Sequence, residues 1–248
     1  MTGLLSAELL KLRTVRTPGI LGLAVLVVVA GAVTATASTS SPAGHAARQV
    51  LAVAGPVQTA ALLLGILAVT TEYRHGTMTP VLLVTPGRFR LLAAKLVVLT
   101  ATGAVLGLVV YGTAAPITLA VLSARHIPDG LGAAGPTGII AGGAAATALF
   151  AALGVGFGAL IRNQVGAVVA ALGLLYVAEP LLGAIPGIGD AVQRFGLAGL
   201  ASSASDTSAV TGSAHLFSAP AGAGLLAAYT VLVVATGAAL FCLRDLAG

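Results

Sequence analysis

Few side chains in this chain have the type and spacing for chemistry, and most of the patterns they could form are absent. Lys11 and Lys95 are the only lysines. A phosphate-cradling loop of the form G-x-x-x-x-G-K-[ST] sets a lysine in a glycine-rich turn. Neither lysine lies in one, so the chain builds no ATP site of its own. H-E-x-x-H, G-x-S-x-G and C-x-x-C are also missing, which removes the usual zinc-protease, serine-hydrolase and dithiol arrangements. His45, His75, His126 and His215 stand in four different connections, so no shared metal site is predicted. Cys242 is alone, which excludes an intramolecular disulfide and a cysteine-rich metal site. Gly154-x-Gly156-x-Gly158 lies inside an apolar run with no strand before it and no acidic partner. With Gly103 and Gly107 it reads as small-x-x-x-small helix packing rather than a nucleotide loop. No catalytic, cofactor-binding or metal-binding residue is assigned, and no cofactor is expected.

One segment gathers acid, base, aromatic and glycine. It runs Thr71-Glu72-Tyr73-Arg74-His75-Gly76-Thr77-Met78, then Pro80 to Val84, then Thr85-Pro86-Gly87-Arg88-Phe89-Arg90 and on to Lys95. Glu72 ends a long apolar run, so its charge must be solvated or paired there. Arg74 or the basic N-terminal arm can pair with it. Gly76 permits a close backbone approach or a positive φ. Residues 77–84 can form a short surface helix that offers Met78, Val81 and Leu82 to a groove on a partner. Thr85-Pro86-Gly87 then breaks that helix with turn chemistry, and Arg88, Arg90 and Lys95 anchor the third span at the inner headgroups. A loop that only anchors the chain would account for its basic residues but not for the Glu-Tyr-x-x-Gly-Thr cluster. Replacing Glu72 by Ala is expected to spare insertion and folding and to weaken coupling to the partner.

A second constellation is Glu179 followed by Pro180. A carboxylate at membrane depth is costly and marks substrate paths or gates. Pro180 frees a backbone carbonyl and bends a helix. The alternative places Glu179 at the headgroups, solvated, because the span can end before it. Gln58, Thr59, Tyr111, Thr113, Thr118 and Asn163 are further polar groups, each read as structural.

The elements that must hold these groups follow from composition. Only 8% of residues are charged and 58% are hydrophobic. A soluble domain carries about 25% charged residues, so lipid must cover most of this one. A membrane-spanning helix needs roughly 20 apolar residues. Six charge-poor intervals supply them, at 20–37, 50–71, 96–122, 138–161, 165–182 and 221–243. Alternating strands of the barrel type are absent, so the fold class is all-α, a six-helix membrane bundle forming one domain over 1–248. Nine basic residues (Lys11, Arg13, Arg16, Arg74, Arg88, Arg90, Lys95, Arg162, Arg244) fall on one side of these spans. Only Arg48, Arg125 and Arg194 fall on the other. The positive-inside rule then puts both termini in the cytoplasm of a multi-pass cell-membrane protein. The net charge of +5 is topological, not a nucleic-acid surface, which would need basic residues grouped on a water-facing side.

Residues 2–17 are too polar to span. Leu5, Leu9 and Leu12 share one helical face, and Glu8, Lys11 and Arg16 can point to water, which predicts an interfacial helix. Pro18 then starts the first span. Ala35-Thr36-Ala37 has the form of a signal-peptidase site, but the length of the run and the arm before it read as an uncleaved helix. Residues 183–220 read as an outer segment with a short re-entrant or surface helix and a Ser/Thr/Ala loop.

The arm and the loop together carry a family resemblance. Glu8-Leu9-Leu10-Lys11-Leu12, with Arg16 before the first span, resembles the opening of type-2 ABC-exporter permeases. Glu72-Tyr73-Arg74-x-Gly76-Thr77, then Pro86-x-Arg88 and Lys95, is similar to their signature loop; the remaining helices match only as apolar segments. The resemblance implies a transmembrane subunit without ATPase activity. Such a subunit pairs as a homodimer or heterodimer in the lipid bilayer and works with separate ATP-binding subunits to move a drug, lipid or other amphiphile outward. It also implies that Glu72, Tyr73, Arg74, Gly76, Thr77, Met78, Val81, Leu82 and Pro86 contact the ATP-binding subunit through a cytoplasmic coupling helix between helices two and three. A proton-coupled secondary transporter is the first alternative, and would need buried ionisable groups in several helices. A membrane enzyme or signalling-complex subunit is the second.

Overall fold

The computed structural model describes residues 2–14, 16–40, 46–74, 88–131, 135–207 and 216–243, and they contain helices and no strands. In chain order the helices are α1 (Thr2–Thr14), α2 (Arg16–Thr39), α3 (Ala46–Ala52), α4 (Pro56–Arg74), α5 (Arg88–Ala124) and α6 (Gly135–Leu160). They continue with α7 (Gln164–Gly173), α8 (Glu179–Gly183), α9 (Gly189–Phe195), α10 (Leu197–Ala204) and α11 (Ala219–Leu243). Six stretches are long and apolar enough to cross a membrane: Gly19–Thr39, Ala46–Arg74, Phe89–Ala124, Gly135–Leu160, Gln164–Gly183 and Ala219–Phe241. These match the six apolar intervals of the sequence. The predicted coupling helix at 77–84, and with it Gly76, Thr77, Met78, Val81, Leu82 and Pro86, lies outside the described residues.

Three of the predicted segments are more interrupted than their apolarity implied. The second span is two helices, α3 and α4, with a turn at 53–55 between them. Pro56 explains the restart, since it has no N–H to give the preceding turn but fits the first position of a new helix. The fifth span passes through a π-helical turn at Leu174–Ala178 before Pro180. The Glu179 amide donates to the Leu174 carbonyl, five residues back. The segment after it forms two short helices, α9 and α10, where one was expected.

Helix α6 is the centre of the bundle. Of its apolar window, 67% is buried, against 17% for the first span and 17% for the fifth, whose apolar surface the described residues leave mostly uncovered. It packs on α4, α5 and α11. Small residues make this possible, because helices in lipid associate through close packing rather than through a hydrophobic drive. A Cβ on Gly154 would strike the Leu62 carbonyl oxygen of α4, and one on Gly65 would strike the Ala151 carbonyl oxygen of α6. Gly103 and Gly107 of α5 leave too little room for a Cβ against Thr147, Ala151 and Ala144. Leu62, Ile66, Phe150, Leu153 and Leu226 fill the core around this crossing.

Candidate functional site

The predicted arm is a helix, α1, and it does not stand apart. Glu8 and Lys11, one turn apart, face the point where α4 ends and α5 begins. The Lys11 ammonium lies 2.8 Å from Glu8 and 2.8 Å from Glu72. Lys95 lies 3.1 Å from Glu8 and 2.6 Å from Glu72. Each carboxylate therefore touches both ammonium groups, and the four charges close into a ring of zero net charge. Lys95 also donates to the Ala68 carbonyl oxygen at 3.2 Å, so its three donors have three acceptors. Glu8, Glu72 and Lys95 are buried, while Lys11 is half-exposed. Burial alone would lower the pKa of Lys11. The hydrogen bonds and charges of Glu72 and Glu8 outweigh it and hold the value above an ordinary lysine's 10.5.

Three consecutive residues at the end of α4 point to three different neighbours, as the 100° step of a helix requires. Glu72 enters the ring. Tyr73 packs edge-on against Phe241 of α11, with ring centroids 6.2 Å apart, and the Arg162 guanidinium lies over its ring at 5.6 Å. Arg74 donates to Gln164 Oε1 at 3.2 Å, at the start of α7. Of the two partners expected for Glu72, Arg74 or the arm, the structure brings Lys11 of the arm to it, and Lys95 as well. Lys95, expected as a headgroup anchor, is instead among the most buried side chains of the described residues. The clue available in the sequence was that Lys95 is followed directly by the 96–122 apolar run. Because Glu72 stands in this ring, its replacement by Ala is expected to lower stability as well as coupling.

At the opposite end, Glu179 is half-buried and accepts the backbone N–H groups of Leu197 (2.7 Å) and Ala198 (3.0 Å), the first turn of α10. A carboxylate there complements the positive helix terminus. With Leu175, Gly183, Val192, Gln193 and Ser202 it lines a cavity of about 400 Å³ beside Pro180. Arg48 pairs with Asp206 at 3.0 Å. Arg125 donates to the carbonyl oxygens of Ala37 and Ser40, closing the end of α2. Of the further polar groups, Gln58 reaches the Tyr111 hydroxyl at 3.5 Å and Thr59 meets the Tyr176 hydroxyl at 2.9 Å. Thr113 and Thr118 bond back to their own helix, and Asn163 caps α7 through Gly166. Among the described residues, no three His, Cys, Asp or Glu side chains gather as a metal site.

No protein-family model matches this chain, and no curated protein matches it either.

Proposed function

We propose that this chain is the transmembrane permease subunit of an ATP-driven exporter of the type-2 ABC kind, moving a drug, lipid or other amphiphile outward. The observation that carries the reading is the charge ring. It joins α1 to both flanks of segment 75–87: Glu72 stands three residues before that segment and Lys95 eight residues after it. A push on the segment is then transmitted to α1, α4 and α5 together, because a buried neutral ring resists being pulled apart. The sequence adds the Glu-Tyr-x-x-Gly-Thr loop and the lack of a phosphate-cradling turn. In this reading the ring end is cytoplasmic, and α1 lies at the inner membrane surface. Glu72, Tyr73 and Arg74 stand just behind the contact with a separate ATP-binding subunit, while Gly76, Thr77, Met78, Val81, Leu82 and Pro86 form it. Two permease subunits frame the path, and Glu179 and Pro180 stand beside its far end.

One observation favours a second reading. Proton-coupled transporters need buried ionisable groups, and Glu8, Glu72 and Lys95 are buried. Their mutual neutralisation at one end of the bundle, away from Glu179, favours a mechanical role instead. Purification of the tagged chain from native membranes decides between the two. The exporter reading expects a P-loop ATPase at equal stoichiometry, no ATP hydrolysis by the chain alone, and transport that stops on ATP depletion. Hydrolysis by the isolated chain, or transport abolished only by a proton ionophore, would sink it.

A further inference from the structure

At the end of α2 lies Ala35-Thr36-Ala37, with small residues spaced as in a signal-peptidase site. Cleavage there breaks the Ala37–Ser38 amide. Water adds its oxygen to the Ala37 carbonyl carbon and a proton to the Ser38 nitrogen, leaving a carboxylate and an amine. Such a protease needs more than small side chains. The backbone around the bond must be extended and the carbonyl free, and a folded segment offers that only by opening locally.

The fold denies both conditions. α2 stays helical through the motif to Thr39. Val33 and Ala37 are fully buried in a cluster with Val110, Tyr111 and Ala114 of α5, while Ala35 is exposed. The last carbonyls of a helix have no partner within it, and here side chains supply the donors. Thr39 donates to the Ala35 carbonyl at 3.1 Å and Ser40 to the Thr36 carbonyl at 2.7 Å. Arg125 donates to the Ala37 carbonyl at 2.7 Å and to that of Ser40 at 2.9 Å. The carbonyl that a protease would attack is thus held by a guanidinium 88 residues away in sequence. That charge also complements the negative end of α2.

The end of α5 aims Arg125. His126 takes the left-handed conformation, at φ 57°. Ile127 N–H donates to the Leu122 carbonyl and His126 N–H to that of Ser123, the two bonds of a Schellman turn. Ile127 then packs with Leu122, Ala46 and Ala47, which seats the turn.

We propose that Ala37–Ser38 is a latent cleavage site for a signal-peptidase-type protease, masked by the docking of α2 on α5 and by the hold of Arg125 on the Ala37 carbonyl. A chain whose first span fails to dock is cut and loses residues 1–37. With them go Glu8 and Lys11, half of the charge ring. The exporter reading puts the site on the outer face, but the masking does not need that reading. The test is made in detergent, where both ends of the bundle are accessible, so either proposal can fail without the other.

The full chain is incubated with a purified, heat-stable signal peptidase, and the product is read by intact mass as a new amino terminus at Ser38. The parent should stay intact while folded and be cut as it is warmed through its melting transition, because cleavage follows the population of the open form. Arg125→Gln should be cut about tenfold faster at a temperature where circular dichroism shows it folded, since it loses charge-assisted hydrogen bonds. Arg125→Lys, which still donates, should fall between the two. Ala35→Leu changes an exposed position, so it spares the packing, and it should abolish the Ser38 terminus in every chain. A parent left uncut at Ala37–Ser38 when unfolded, or cut as fast when folded, overturns the proposal. So does Arg125→Gln cut at the parental rate, or cutting that continues in Ala35→Leu, which would be general digestion. Should Arg125→Gln fail to fold, the melting series of the parent and of Ala35→Leu still decides.

Discussion

At one end of the bundle four charges share a buried site in which the Lys95 and Glu8 side chains are 2% and 6% exposed. At the other end a single ion pair, Arg48 and Asp206, keeps 22% and 29% of its side-chain surface in contact with solvent. The difference in burial sets what each can do. Removing one member of a buried pair strands the other in low dielectric, and the ring has no cheap open state. A partly exposed pair rehydrates as it separates, so breaking it costs little. The same chain thus carries a buried joint where α1, α4 and α5 meet and a weaker, partly exposed ion pair where Asp206 reaches Arg48.

The comparison breaks first at Lys95. Lys95→Met leaves two buried carboxylates with one half-exposed lysine between them, and we expect it to cost about 3–5 kcal/mol. Thermal unfolding in detergent should fall by many degrees and membrane abundance should drop. A parental melting temperature would mean the ring holds nothing. Asp206→Asn should cost about 0.5–1 kcal/mol, the range of a partly exposed pair, and barely move the same melting curve. A loss as large as that of Lys95→Met would place the two ends on an equal footing and remove the distinction.

The smallest effect lies in pH. The pKa of Lys11 is raised in the folded state, so the folded chain holds that proton more tightly than the unfolded one. The stabilisation is complete below the ordinary lysine value of 10.5 and is lost as pH climbs through the higher folded value. Unfolding midpoints followed from pH 9 to pH 12 should therefore drop at the alkaline end. Lys11→Gln should lower stability at pH 9 and lessen the alkaline drop. An unchanged alkaline drop in Lys11→Gln would assign it to other groups.

Most of the fold was legible in the sequence because lipid is a demanding solvent. A span must be long, apolar and nearly free of charge, and the six intervals at 20–37, 50–71, 96–122, 138–161, 165–182 and 221–243 each correspond to a helix or a helix pair. The same demand drew attention to Glu72 and Glu179, the acids that interrupt or end such runs. The breaks at 53–55 and at Leu174–Ala178 were harder to read, since local hydrogen-bond registers leave little trace in apolarity. The glycines of α5 and α6 announced close packing by type, but not which helix each would meet.

The all-helical fold with six apolar spans, the grouping of basic residues at alternate ends and the absence of a G-x-x-x-x-G-K-[ST] motif could be read from residue types in order along the chain. Only the tertiary structure decided that Lys95 is buried rather than an anchor. Only there does Glu8 meet it across 87 residues, or Asp206 reach Arg48 across 158. The reason is that a charge in lipid must find a partner, but which partner it finds depends on how the helices cross, and that is fixed by packing among α4, α5, α6 and α11 rather than by any local pattern.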